Sequence, residues 1–296
     1  MSLKDTLRGT GVALITPFTA NHSIDFEALK NLIEFVIHGG VEYVVPLGTT
    51  GETPTLEMSE KVDIINFVYE TVNTRIPIVV GVGGNNTKEV LRDLQAYPLD
   101  KAEAILSTCP YYNKPSQQGI FEHYQAIAEA SPKPVILYNV PGRTGCNITA
   151  KTTLRLAHEV NNIGGIKEAS GYMIQCMHIL KERPQEFLVC SGDDHLSLPL
   201  IAAGMDGVIS VAANCFPKDF AEMVRLSLAS DFAPAKGLHY KLLEGFDLLF
   251  AENNPAGVKA VLAEMGIIEN YLRLPLVPLS GPIHLQVQEY LKKINQ

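Results

Sequence analysis

Gly164-Gly165-Ile166-Lys167-Glu168-Ala169-Ser170-Gly171 puts one lysine at the end of a short apolar run, between two pairs of small residues. With Asn162 and Ile163 ahead of it, the run reads as a brief buried strand. The small residues form a corner, and Ser170 is a plausible N-cap for a helical pattern carrying Met173, Cys176, Met177 and Leu180. A lysine in such a strand has two readings. It is either a strand-end residue paired with a carboxylate, or a neutral amine facing a cavity, since burial disfavours the ammonium form. The second is the nucleophile of Schiff-base chemistry on a carbonyl substrate.

The same strand–corner–helix unit recurs along the chain. Apolar runs at Val12–Ile15, Tyr43–Leu47, Ile78–Val82, Ala104–Leu106, Val135–Tyr138, Ile163–Ile166, Phe187–Cys190 and Gly207–Val211 follow one another roughly every 25 to 35 residues. They are near-continuous rather than alternating, as expected of parallel strands covered on both faces. Amphipathic helices are predicted between them. Asp25 to His38 places Phe26, Leu29, Ile33 and Val36 on one face and ends at Gly39-Gly40, while Ser59, Asn86 or Thr87, and Thr149 are candidate starts for others. Eight such repeats predict a (β/α)8 TIM barrel, an α/β fold. A doubly wound open sheet is the runner-up, but the first corner, Ile15-Thr16-Pro17-Phe18, lacks a glycine phosphate-binding turn. After Cys215 only helices are expected: Lys218–Ala229, Ala233–Ala251, Pro255–Met265, and a last one introduced by Ser280-Gly281-Pro282. Residues 1–216 are therefore assigned to the catalytic barrel and 217–296 to a C-terminal helical extension, too small to bury a core alone, packed on the barrel or on a neighbouring subunit.

Composition narrows the function classes. The 296 residues are 46% hydrophobic and carry a net charge of -8, without a basic run, so nucleic-acid binding is not expected. The five cysteines are scattered and form no C-x-x-C, which suits a reducing compartment and argues against a disulfide framework or structural zinc. Charge recurs at Asp5 and Arg8 before any apolar core, so no signal peptide is read, and no span suits a membrane. A cytoplasmic protein is expected.

Active sites of such barrels lie at the C-terminal strand ends. After the second run, Gly48-Thr49-Thr50-Gly51-Glu52-Thr53 offers hydroxyls and N–H groups for a carboxylate, or is an ordinary turn into a helix. Gly81-Val82-Gly83-Gly84-Asn85-Asn86 reads as a tight loop, not a phosphate loop. Cys109-Pro110-Tyr111-Tyr112-Asn113-Lys114-Pro115 holds two phenols in a stiff loop, for proton transfer, a subunit contact or simple packing. Tyr138 lies one strand–helix unit before Lys167, so the two are expected on neighbouring strands about 5 Å apart. A phenol beside an amine suits the proton transfers of imine formation, and Arg143 just beyond can grip a carboxylate bidentately. Asp193-Asp194 suggests a metal, but adjacent side chains point apart and only His195 accompanies them. No metal is expected there.

Together, Gly48-Thr49-Thr50-Gly51-Glu52 and Tyr138-Asn139-Val140-Pro141, followed by Gly165-Ile166-Lys167-Glu168-Ala169-Ser170, resemble the pyruvate-dependent class I aldolase superfamily over nearly the whole chain. Arg143, Pro110 to Pro115 and Ser191-Gly192-Asp193-Asp194 look like its dihydrodipicolinate synthase branch rather than its sialic acid lyases. The resemblance implies a synthase condensing pyruvate with L-aspartate 4-semialdehyde on the diaminopimelate route to lysine. It implies Lys167 as Schiff-base lysine, Tyr138 as proton donor and acceptor, and Thr49 and Tyr112 as a relay, with Tyr112 reaching a neighbouring subunit. It also implies Thr50, Gly192 and Ile209 around the pyruvate carboxylate, Arg143 on the second substrate's carboxylate, and a homotetramer built as a dimer of dimers. The imine is the electron sink, so neither metal nor organic cofactor is expected. Tyr111, Asn85 and Glu89 match a lysine-inhibition site, but Met58 and Lys61 stand where inhibited members often carry histidines. Two alternatives are another aldolase or lyase of this scaffold acting on a sugar acid or another aldehyde, and a ligand-binding barrel that has lost catalysis.

Overall fold

In the computed structural model, which describes residues 2–294, the eight expected strands are all present and all parallel. They are β1 (Gly9–Ala13), β2 (Tyr43–Val45), β3 (Val79–Gly81), β4 (Ala104–Thr108), β5 (Val135–Asn139), β6 (Ile163–Glu168), β7 (Leu188–Ser191) and β8 (Gly207–Ser210). Each pairs with its sequence neighbour, and β8 pairs with β1. The seam between β2 and β3 closes through backbone hydrogen bonds from Val44 N–H to the Pro77 carbonyl at 3.2 Å and from Gly81 N–H to Pro46 at 3.0 Å. This is the (β/α)8 barrel that the spacing of apolar runs predicts.

A short N-terminal helix, α1 (Leu3–Thr6), precedes the barrel. Its outer helices are α2 (Phe26–His38), α3 (Met58–Val72), α4 (Thr87–Ala96), α5 (Gln117–Ala130), the one-turn α6 (Pro141–Thr144) with α7 (Ala150–Glu159), α8 (Met173–Glu182) and α9 (Ser197–Ala202). Asp25, Asn86 and Thr149 cap α2, α4 and α7 through their side-chain oxygens. Two cap assignments shift. Helix α3 is capped by Glu57, whose box partner is Glu60, so Ser59 lies inside the helix. Ser170 accepts the Tyr172 N–H in the turn ahead of α8, which begins at Met173.

After β8 the chain is helical: α10 (Pro217–Leu228), α11 (Phe232–Phe250), α12 (Ala256–Glu264) and α13 (Gly281–Ile294). Helix α10 packs on β1 and α2, the eighth helix place, and α11 to α13 pack on one another. The expected division at 216/217 assigns α10 to the C-terminal extension, although α10 takes the barrel's eighth helix place. The outermost positions of the two assigned segments, Met1, Asn295 and Gln296, lie outside the described residues. Among the described residues no helix is long and apolar enough to cross a membrane.

Alternation along each strand sorts the core into two layers. Val12, Val44, Val80, Ile105, Leu137, Ile166, Val189 and Val208 face the helices. Ala13, Tyr43, Val45, Val79, Leu106, Ile136, Tyr138, Cys190 and Ile209 fill the barrel. Strand β1 starts three residues earlier than its apolar run. In its first half, Gly9-Thr10-Gly11, the Tyr43 ring keeps Gly11 small, since a Cβ there would lie 2.2 Å from the ring, and at Gly9, with φ 122°, a Cβ would lie 2.7 Å from the Glu42 side chain. Apolar content alone cannot signal a strand whose neighbours need it to be empty.

Candidate active site

Tyr138 and Lys167 are paired in register on β5 and β6, as the spacing predicts. Both point into the barrel at its C-terminal end and both are buried, with 5% and 4% exposure. The Lys167 amine lies 4.3 Å from the centroid of the Tyr138 ring. On its other side β7 supplies Cys190, in register with Lys167. Burial pushes that thiol up to about 12, so it is no competing nucleophile. Gly192, just beyond β7, gives the lysine its room, since a Cβ there would lie 2.7 Å from Lys167 Cε. Ile209 is fully buried on β8 in the same inner layer.

The residues following the pair on each strand point outward and are locked. Glu168 is buried, and its Oε2 accepts from Asn139 Nδ2 and Gln175 Nε2, each at 3.0 Å. Its Oε1 accepts the Ser170 N–H at 2.7 Å, and Asn147 Oδ1 receives Asn139 Nδ2 at 2.8 Å. Each bond to a buried carboxylate of this kind contributes about 1.5–3 kcal/mol, and together they hold β5 and β6 in the register that stacks Lys167 on Tyr138. Sequence reasoning assigns no role to Asn139, Asn147 or Gln175. The available signal was polar residues where an apolar face was expected.

The Gly48-to-Thr53 corner forms a 3₁₀ turn over Thr49–Gly51, followed by a second over Thr53–Thr55. Thr16 Oγ1 donates to the Gly51 carbonyl at 2.7 Å, and Thr53 Oγ1 to that of Gly48 at 2.9 Å. Thr50 is buried, and its Oγ1 accepts from Asn254 Nδ2 at 2.9 Å. The Asn254 carbonyl in turn accepts from Arg143 Nη2 at 3.3 Å. Thr49, Tyr138, Arg143, Tyr111 and Asn254 line one cavity of about 400 Å³, whose outer wall includes Lys61. That suits a small-molecule site.

Other predicted residues lie elsewhere. Tyr112 is 88% exposed, turned away from this cavity, with a backbone φ of 73°. Asn85 accepts from Asn113 Nδ2 through its carbonyl at 2.9 Å, and Glu89 is an exposed partner of Arg92. Gly81 and Gly83 line the cavity. The paired acids diverge. Asp194 is buried and accepts the N–H groups of Val211 and Ala212, whereas Asp193 caps Leu196 and His195 turns to Asp247.

The model of the dihydrodipicolinate synthetase family matches residues 6–294. A 4-hydroxy-tetrahydrodipicolinate synthase of Parabacteroides distasonis is 51% identical over 98% of this chain and 97% of that protein. A protein of the same name from Phocaeicola vulgatus is 53% identical over 93% of each. A solved dihydrodipicolinate synthase from Thermotoga maritima superposes with a TM-score of 0.95 at 38% identity, covering 98% of this chain and 99% of that one. A monomeric dihydrodipicolinate synthase variant gives 0.96 at 37% identity, over 99% of both chains. Family match, near-complete relatives and a common barrel agree: the chain belongs to the dihydrodipicolinate synthetase family.

Proposed function

We propose that this protein is a class I aldolase-type lyase that joins pyruvate to L-aspartate 4-semialdehyde, forming 4-hydroxy-tetrahydrodipicolinate for lysine synthesis. The carrying observation is the buried amine of Lys167 stacked on Tyr138 at the strand ends, beside a cavity walled by Thr49 and Arg143. In this reading Lys167 adds to C2 of pyruvate and water leaves, giving an imine. Loss of a proton from C3 makes the enamine, whose C3 attacks the aldehyde carbon. The amine of the second substrate then adds to C2, closes the ring and releases Lys167. Tyr138 moves the protons at addition and at water loss. The protonated imine nitrogen takes up the electron pair left at C3 when the proton departs, and returns it when C3 bonds to the aldehyde carbon.

Thr50, with the backbone near Gly192 and Ile209, receives the pyruvate carboxylate. Arg143, at the cavity rim, takes the carboxylate of the semialdehyde. Thr49 passes protons onward to Tyr112 of a second copy. The exposed phenol and left-handed backbone of Tyr112 favour that placement, because a tyrosine at this φ costs about 1–3 kcal/mol and needs a use. The assembly we propose is a homotetramer of two tight dimers. Five free buried cysteines are compatible with a cytoplasmic setting.

Arg143→Ala is expected to raise KM for the semialdehyde by about 10- to 100-fold, the loss of a charge-assisted hydrogen bond of roughly 1.5–3 kcal/mol. Pyruvate KM should change little. Steady-state turnover of pyruvate with the semialdehyde, and with sugar-acid aldehydes as competitors, tests the assignment. Preference for a sugar aldehyde would favour the lyase alternative.

Tyr111, Asn85 and Glu89 would form the lysine-binding site at the dimer interface. Lys61, which lines the same cavity as Tyr111, puts a cation near the ammonium groups of such a ligand. Weak or absent lysine inhibition is therefore expected, and strong inhibition by micromolar lysine in the same assay would contradict it.

A further inference from the structure

Lys259 of α12 has no solvent exposure and is among the largest fully buried side chains. Its Nζ lies 2.5 Å from Glu52 Oε1, donates to the Tyr271 carbonyl at 2.8 Å, and sits 4.2 Å from the Phe18 ring centroid. Glu52 is itself 1% exposed, and its other oxygen accepts the Arg273 N–H at 3.1 Å. Glu52 is the hinge between the two 3₁₀ turns after β2, held at φ 53°. It directly follows Thr49-Thr50-Gly51, whose Thr50 is bonded to Asn254. The C-terminal segment thus grips this turn at both ends, with Asn254 on Thr50 and Lys259 with Arg273 on Glu52.

Stability alone does not explain the arrangement. Removing two charges from water costs several kcal/mol per ion, and apolar replacements of buried pairs are often neutral or better. What a buried pair supplies is direction. A carboxylate reached from two sides at hydrogen-bonding distance fixes a left-handed glutamate that would otherwise relax.

We infer that Lys259 and Glu52 are positioning residues for the reaction, holding the Thr49-Thr50 turn in the orientation that receives the pyruvate carboxylate. The C-terminal extension is then a working wall of the site. This rests on the assignment of Thr50 to pyruvate made above.

The pair has a pH signature. The charged groups facing Lys259 are Glu52 on the turn and Arg273 after α12, the latter bound to Glu60 of α3. Burial, aided by repulsion from Arg273, outweighs the attraction of Glu52 and brings Lys259 down to about 8. The ion pair is present below that value and is lost as pH rises through it.

The test is steady-state kinetics on the full-length protein with pyruvate varied. In the wild type, KM for pyruvate is expected to rise several-fold between about pH 7 and about pH 9, with kcat changing less. Glu52→Gln, which keeps shape but removes charge, should raise KM at neutral pH and flatten its pH dependence. Lys259→Met should raise KM by about 10- to 100-fold, since misplacement of about 1 Å can cost on the order of 10²-fold. It should still form the Lys167–pyruvate adduct at saturating pyruvate. Should Lys259→Met fail to fold, Glu52→Gln and the wild-type profile decide. A wild-type KM in folded Glu52→Gln, or a fall in kcat with KM unchanged, would overturn the inference. An unchanged KM with a normal pyruvate adduct leaves the Schiff-base reading standing, whereas absence of the adduct in the wild type removes both.

Discussion

Lys167→Ala is expected to lower kcat by on the order of 10⁴-fold or more and to abolish any covalent pyruvate adduct. The fold should survive. The lysine stem is buried in the inner layer, but its neighbours Tyr138 and Cys190 are held by their own strands and Gly192 by its N–H on the Glu168 carbonyl. Lys167→Arg should be as inactive, because a guanidinium stays protonated and forms no imine. Retained turnover in either variant would mean that another group carries the substrate. Lys259 is no substitute: it is enclosed by Glu52, Tyr271 and Phe18.

Tyr138→Phe should slow the reaction by about 10²- to 10⁴-fold, the usual worth of a positioned general acid–base. The ring that underlies the lysine amine is kept, so packing is preserved and only the phenol is lost. Because protons move both on addition to the carbonyl and on loss of water, imine formation should slow together with later steps. Rapid mixing with pyruvate followed by timed reduction separates the two. Adduct formation at the wild-type rate would show that Tyr138 has no part in making the imine, while Lys167 would keep its role.

The barrel was legible because its physics is repetitive. Strands covered on both faces must be apolar throughout, and eight such runs at one period leave few architectures. The misplacements share one cause, which is that a position can be set by what its neighbour needs. Gly11 is strand without being apolar because Tyr43 fills the layer. Glu57 rather than Ser59 caps α3 because Glu60 completes its box.

The candidate site was legible where strand register carries it. Tyr138 and Lys167 meet because corresponding positions of adjacent parallel strands must meet. It was not legible where the partner is distant in sequence. A lysine in an apolar run was the signal that singled out Lys167, and Gly257-Val258-Lys259-Ala260-Val261-Leu262 carries the same signal. Of the two readings of a buried lysine, Lys259 takes the pairing with a carboxylate, and its partner Glu52 lies in another segment. Asn254 was invisible for the same reason: its bond to Thr50 spans most of the chain.

The most direct test of the central claim is chemical trapping. The protein is incubated with pyruvate, reduced with borohydride, digested, and the modified peptide sequenced by mass spectrometry. The account predicts a reduced pyruvate adduct on Lys167 and on no other lysine. Absence of an adduct, or an adduct elsewhere with Lys167 unmodified, would contradict it.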